Sequence, residues 1–224
     1  MIGSCVIKNI LIDLDGTLTN PQTGITGSAR YGLAKVGHVV DDQEDLDWII
    51  GPPLKASLAK ILGVAEQDDL AEQALLGYRE RFASIGLYEN EVYADVAVTL
   101  AQLQQSGYQL FLATAKPIIY AKQILDHFHL LQYFTQAYGS ELSGLRSHKA
   151  ELIDYILQQE QLNPAECLMV GDREHDIFAA RAHGIDTIAV NYGFGSEAEL
   201  TQAAPRYRID RFAELCDVMA GLTA

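Results

Sequence analysis

Basic residues are few in this 224-residue chain: 16 lysines and arginines face 30 aspartates and glutamates, for a formal net charge of −14. No basic stripe is present that would neutralise a phosphate backbone and release its counterions, which argues against a nucleic-acid polymer as partner. Cysteine is scarce as well. Cys5, Cys167 and Cys216 lack metal-ligand spacing, and Cys5 and Cys167 fall in or beside apolar runs that suit a small buried hydrophobe better than a disulfide or a zinc site. The longest apolar runs fall well short of the roughly 18 residues needed to span a bilayer. No basic segment followed by a long apolar stretch opens the chain, so the expectation is a cytoplasmic protein without a membrane partner. What is abundant is hydrophobic content, at 49%, which is too high for a disordered polymer and enough for a substantial core.

The pattern of that content changes along the chain. The apolar run Cys5 to Ile12 reads as a buried strand, ending at Asp13-Leu14-Asp15-Gly16-Thr17-Leu18. From about Asn20 to Tyr88 the spacing is helical, with predicted helices at Ser28 to Val36, Pro53 to Leu62 and Asp69 to Ile85. Strands and helices then alternate. Helices are predicted at Val96 to Gln105, Ile118 to Phe128, His148 to Gln159 and His175 to His183, and strands at Tyr108 to Ala115, Phe134 to Tyr138, Cys167 to Val170 and Thr187 to Val190. Gly107 and Gly184 mark helix ends, and Asn163-Pro164 fits an N-cap followed by a first-turn proline. The fold class is therefore α/β: a doubly wound, Rossmann-like parallel sheet with an inserted helical domain. The expected division is a core of residues 1–19 and 89–224 and a helical cap of residues 20–88, which would lie over the carboxyl ends of the strands as a lid.

Open α/β sheets place their chemistry at those strand ends. Asp13 and Asp15 stand there, as nucleophile and proton donor if something offsets their repulsion. A second acidic cluster, Gly171-Asp172-Arg173-Glu174-His175-Asp176, follows the run Cys167 to Val170, with Asp172 and Asp176 four apart where a helix begins. Two carboxylates about 4 Å apart repel by about 4 kcal/mol at an effective dielectric of roughly 20, so the group needs a cation or a proton. Oxygen-only ligands beside a phosphate favour Mg²⁺. Between the clusters, Thr114 and the backbone N–H groups of a Thr114-Ala115-Lys116-Pro117 turn suit a phosphoryl oxygen. Lys149 opens a helix from which its ammonium could reach both an anionic substrate and the nucleophilic carboxylate. Each feature alone is ordinary. Their ordered conjunction at strand ends and helix starts is a complete phosphoryl-transfer site.

These four segments resemble the four ordered motifs of the haloacid dehalogenase-like superfamily over nearly the whole chain, with the helical insertion resembling that family's α-helical cap. Ala113-Thr114-Ala115-Lys116-Pro117, Val170 to Asp176 and Gly193-Phe194-Gly195-Ser196 are close in wording to its phosphoglycolate phosphatase and 5′-nucleotidase branch, apart from Ala115, where that branch often has serine. The resemblance implies that Asp13 attacks phosphorus to form an aspartyl-phosphate, while Asp15 protonates the leaving oxygen and then activates water. It implies Mg²⁺ held by the Asp13 carboxylate, the Asp15 carbonyl and Asp172, with Asp176 orienting metal-bound waters. Thr114 and Ala115 would bind phosphoryl oxygens, and Lys149 would neutralise developing charge. Dehalogenases of the superfamily lack the second aspartate, and P-type ATPases carry threonine there, so Asp15 selects the phosphatase reading. A phosphosugar mutase shares the core residues, and a non-catalytic phosphate-binding protein of the same fold is the reading from another class.

The expected substrates are small phosphorylated metabolites, above all 5′-nucleotides or phosphoglycolate. In the cap, Arg30, Tyr31, Lys55 and Gly51-Pro52-Pro53-Leu54 are specificity candidates, although each reads more readily as structural or solvent-facing. The acidic run Asp41 to Asp47 is not a calcium loop, because Leu46 stands where glycine is needed and Pro52 where glutamate is needed; it reads as a solvated surface. No histidine takes a catalytic role. His175 lies in the late motif, but Asp172 and Asp176 account for the metal chemistry there. Gly193 to Ser196 reads at least as readily as a plain turn as it does a site loop.

Overall fold

The computed structural model describes residues 6–223. It divides into two compact units, one of the chain up to Leu18 together with Val92–Ala224, the other Thr19–Glu91.

The larger unit is built on strand β1 (Asn9–Ile12), all four of whose residues are buried. A strand apolar on both faces belongs inside a sheet covered on both sides. The second unit's helices α1 (Gln22–Lys35), α2 (Leu54–Leu62) and α3 (Asp69–Arg81) come next in the chain, flanked by two-residue strands β2 (Thr19–Asn20) and β3 (Glu91–Val92) that form a small sheet of their own. The core then continues as α4 (Val96–Gln105), β4 (Gln109–Pro117), α5 (Ile118–His127), β5 (Gln136–Ser140), α6 (Lys149–Gln159), β6 (Cys167–Gly171), α7 (Glu174–Ala182) and β7 (Asp186–Val190). It closes with α8 (Glu197–Ala203), β8 (Tyr207–Ile209) and α9 (Glu214–Thr223). The strand order is β5-β4-β1-β6-β7-β8, with every adjacent pair parallel.

Register organises the core. Leu11 stands opposite Phe111 on one side and Met169 on the other, and this row packs with Leu152, Ile153 and Ile156 of α6 and with Ala179 and Ala180 of α7. Ile10 and Ile12 alternate to the opposite face and are equally buried. Removing each such side chain from water contributes about 1.5–3 kcal/mol. Because all six strands run the same way, the segments following β1, β4 and β6 leave from one edge of the sheet.

Several boundaries differ from the sequence expectation. The first strand begins at Asn9, with Val6 half exposed before it; Cys5 lies outside the described residues. β4 runs on through Pro117, so the expected turn at Thr114 to Pro117 is a strand end with a register shift between Thr114 and Pro117. The strand expected at Phe134 starts at Gln136, after a short 3₁₀ turn at Leu131–Tyr133. Helix α1 begins six residues earlier than expected. Glycines at 24 and 27 hide its amphipathic period, and they are there because the helix is approached closely: a methyl on Gly24 would stand 2.0 Å from the Gly86 carbonyl oxygen. The third predicted helix stops at Arg81 and widens into a π-helical turn, Phe82–Gly86, with the Leu87 N–H donating to Phe82 O at 2.7 Å. The C-terminal β8 is only three residues long, too short to show a period.

Within the smaller unit, α1 presents Gly24, Ser28 and Gly32 at four-residue spacing, and all three are buried. Gly32 meets α3 most closely, where a methyl would stand 2.3 Å from Ala74 O and 2.6 Å from Tyr78 N. Gly32→Ala is therefore expected to destabilise by about 1–3 kcal/mol through overpacking, against the ~1 kcal/mol that alanine ordinarily gains in a helix. Urea unfolding followed by circular dichroism measures it; a variant as stable as the wild type would refute close helix contact at this residue.

Candidate active site

Asp13 follows the last residue of β1, and its N–H donates to Val170 O of β6 at 2.9 Å, which holds the residue against the neighbouring strand. Its Oδ1 accepts the Leu14 N–H at 2.7 Å. Its Oδ2 lies 2.9 Å from Lys149 Nζ. Lys149, the first residue of α6, also pairs with Asp176 Oδ1 at 2.8 Å and donates to Ala113 O at 2.9 Å. Three oxygens thus surround the ammonium, two of them from carboxylates. Burial works against its charge, but Asp13 and Asp176 outweigh that and hold its pKa above the usual lysine value.

Asp172 and Asp176 enter from the other side. Asp172 follows β6 and is 1% exposed; its Oδ2 accepts the Phe194 N–H at 2.7 Å, while its Oδ1 is buried with no hydrogen-bond partner. Asp176 lies in the first turn of α7 and accepts the Arg173 N–H at 3.2 Å, capping that helix. Burial, then Asp176 and Asp13, push the Asp172 carboxyl well above the usual range. Asp176 is raised to about 6 by burial and by Asp13, with Lys149 pulling the other way.

Carboxylate oxygens of Asp13, Asp172 and Asp176 lie within 4.8 Å of one another, all three residues buried. With all three carboxylates ionised, one ammonium leaves two negative charges uncompensated. A divalent cation matches both that charge and the orphaned Asp172 oxygen, and an all-oxygen donor set suits a hard ion. The backbone makes room for this cluster. Gly16 sits at φ +81°, where a methyl would stand 2.1 Å from Asp172 Oδ2, and one on Gly193 would stand 2.5 Å from the same atom.

Asp15 has different surroundings. Its side chain pairs with Lys116 Nζ at 2.9 Å rather than joining the other three carboxylates, and its Oδ1 is buried without a partner. Burial raises its pKa, opposed by Lys116 and reinforced by Asp13. Thr114 is buried on β4, and its Oγ1 accepts the Lys116 N–H at 3.2 Å; Ala115 beside it is partly exposed.

All the residues expected from sequence to carry chemistry therefore gather at one sheet edge. Three contributors were missed. Lys116 was read only as part of a turn, because its burial depends on the strand irregularity and leaves no local signal in the sequence. The loop after β7, expected to be as readily a turn, supplies Phe194 N–H to Asp172 and Tyr192 O–H to Thr17 O at 2.7 Å. Glu199 on α8 accepts Arg173 Nε and the Glu174 N–H, each at 2.8 Å, bracing the start of α7; nothing in the sequence pointed to it.

In the smaller unit, the candidates Arg30, Tyr31 and Lys55 have partners within that unit. Arg30 donates to the carbonyls of Asp41 and Glu44, Tyr31 O–H to Glu80 at 2.7 Å, and Lys55 pairs with Glu72 at 2.6 Å. Residues Asp41 to Asp45 are exposed, as expected of a solvated acidic run. Cys167 is buried, which pushes its thiol up to about 11, and it donates to Asn163 O; with Cys216 it is a free cysteine. Among the described residues, no helix is long and apolar enough to cross a membrane.

Comparison with known proteins shows the family. Residues 10–190 match the model of the haloacid dehalogenase-like hydrolase family, and the chain belongs to that family. It is an enzyme of the hydrolase type with phosphatases among its relatives. A 5′-nucleotidase of Pseudomonas aeruginosa is 44% identical over 94% of this chain and 95% of its own length. Tyrosine-protein kinase PtkA of Mycobacterium tuberculosis is 36% identical over 83% of this chain and 62% of its own. A phosphoglycolate phosphatase of Vibrio parahaemolyticus is 26% identical, with 96% of each chain covered. The crystal structure of a predicted phosphatase from Clostridium acetobutylicum superposes with a TM-score of 0.92 at 37% identity, covering 96% of this chain and 99% of that one.

The raised carboxyls have a consequence for stability. A group whose folded pKa exceeds its unfolded value contributes stability below the unfolded pKa and loses it as pH rises through the folded one. For Asp176 that window runs from the ordinary 3.8 to about 6, and for Asp172 it lies above 3.8 as well. In metal-free protein, Asp172→Asn is thus expected to melt above wild type near neutral pH by roughly 2–4 °C, about 1 kcal/mol. The difference should shrink as pH falls toward 4. Scanning calorimetry in chelator tests it, and a variant melting below wild type near neutral pH would contradict the charge account.

Proposed function

We propose that the chain is a Mg²⁺-dependent phosphomonoester hydrolase acting through an aspartyl-phosphate on Asp13, with small phosphorylated metabolites as substrates and 5′-nucleotides or phosphoglycolate foremost. The observation that carries this reading is the separation of two neighbouring aspartates: Asp13 pairs with Lys149 in the carboxylate cluster, while Asp15 pairs with Lys116. Environments that separate two carboxyls assign them different roles. The 44% identity with a 5′-nucleotidase over nearly the full length supports the substrate class.

Asp13 carries the nucleophilic oxygen. As it bonds to phosphorus, the bond from phosphorus to the leaving oxygen breaks, and Asp15 delivers its proton to that oxygen. Asp15 then takes a proton from the water that attacks phosphorus and breaks the bond to Asp13, releasing inorganic phosphate. The Thr114 hydroxyl and the Ala115 N–H are the donors assigned to the phosphoryl oxygens, and Lys149 holds Asp13 in place and offsets charge as it develops. Asp13, Asp172 and Asp176, with the Asp15 carbonyl, would hold Mg²⁺, which when bound supplies the positive charge that lets a phosphate approach clustered carboxylates.

Phosphate release from p-nitrophenyl phosphate, and across a set of 5′-nucleotides, phosphoglycolate and sugar phosphates, tests the reading. Turnover should vanish in excess chelator and return with Mg²⁺. Asp13→Asn should lower turnover by at least ~10³ while leaving the circular dichroism spectrum unchanged, because the amide is a poor nucleophile of similar shape. Full activity in that variant, or undiminished turnover in chelator, would reject the assignment.

A further inference from the structure

Lys116 is only 8% exposed, and its ammonium meets Asp15 Oδ2 at 2.9 Å. An ammonium buried at a strand end costs stability unless it is paired, so its placement calls for a reason. Neighbouring residues build that placement. β4 loses register with β5 after Thr114, which stands opposite Gly139, and regains it at Pro117, opposite Ser140, so that Ala115 and Lys116 are inserted between consecutive pairs. The Ser140 hydroxyl donates to Ala115 O at 2.7 Å, and Thr114 Oγ1 accepts the Lys116 N–H. The Lys116 carbonyl rests on Gly139, where a methyl would stand 2.6 Å away. Such irregularities re-aim side chains at the end of a strand. Here the side chain that is re-aimed is the partner of Asp15.

We propose that Lys116 is a positioning residue for leaving-group protonation. By pairing with the Asp15 carboxyl, it fixes the orientation in which that carboxyl meets the bridging oxygen of the phosphomonoester. Two observations carry this. Asp15 Oδ1 is buried with no hydrogen-bond partner, which leaves Lys116 at Oδ2 as the group that fixes the carboxyl. Lys149 is engaged elsewhere: its ammonium lies within 2.9 Å of Asp13 Oδ2, Asp176 Oδ1 and Ala113 O. In the step itself, the bond from phosphorus to the leaving oxygen breaks while the proton of the Asp15 carboxyl passes to that oxygen. Lys116 keeps its protons throughout. The inference rests on the proposed role of Asp15 as proton donor.

A residue acting only through leaving-group protonation matters more when the departing group is a stronger base. Phenyl phosphate and p-nitrophenyl phosphate are close in shape, but phenolate is far the more basic leaving group. The parameter to compare is kcat/KM, which reports events up to the first irreversible step and so leaves out the later attack of water. With Mg²⁺ and the full chain, Lys116→Met is expected to lower kcat/KM by ~10² for phenyl phosphate and by less than ~10 for p-nitrophenyl phosphate. Lys116→Arg, which keeps a cation for Asp15, is expected to fall between wild type and methionine on phenyl phosphate. Melting midpoints establish that each variant is folded, and the arginine variant decides alone if the methionine one is not. Equal losses on both substrates overturn the positioning role and leave the hydrolase reading standing. A wild-type chain that turns over neither ester overturns both.

Discussion

The ammonium of Lys149, closed in by Asp13, Asp176 and the carbonyl of Ala113, is the contact on which the site depends. It draws together the end of β1, the start of α7 and the last buried stretch of β4 through a single buried charge. Such a charge is tolerated only when its donors are matched, and removing one partner of a buried pair costs about 3–5 kcal/mol. The same contact leaves the acidic cluster with two negative charges in excess, and that deficit makes it a fitting place for a divalent ion. Stability of the metal-free protein and competence for chemistry thus oppose each other at the same atoms.

Around that contact the fold segregates two lysines and two aspartates. Lys149 comes from a helix start and serves Asp13; Lys116 comes from an irregular strand end and serves Asp15. Because Asp13 and Asp15 are only two residues apart, a smooth backbone would leave them in similar surroundings. The turn at Gly16, in a conformation that favours glycine, lets the chain pass close to Asp172. The loop after β7 completes the enclosure, with Gly193 packed against Asp172 and Phe194 donating to it. The proposed division of labour between nucleophile and proton donor follows from that separation.

Much of this was legible before any coordinates. The run ending at Ile12 and the run Cys167 to Val170 are apolar on both faces, and an aspartate follows the first directly and the second after Gly171, so the placement of Asp13 and Asp172 at one edge follows once the sheet is parallel. The helical period identified Lys149 as a first-turn residue. Where local pattern failed, a tertiary contact was responsible: the glycines of α1 break its amphipathic period because Gly86 and α3 press against them, and Lys116 looked like a turn residue because the strand irregularity exists only through Gly139 and Ser140 of the neighbouring strand.

By itself the sequence determined the fold class, the order of the strand ends and the identities of the groups placed there, because burial periodicity and chain direction are local properties. Only the tertiary structure decided which cation each aspartate meets, that Glu199 braces Arg173, and that a backbone N–H from a distant loop completes Asp172. Those pairings depend on register between strands and on loops returning from far along the chain. Both are set by packing, and no run of neighbouring residues records them.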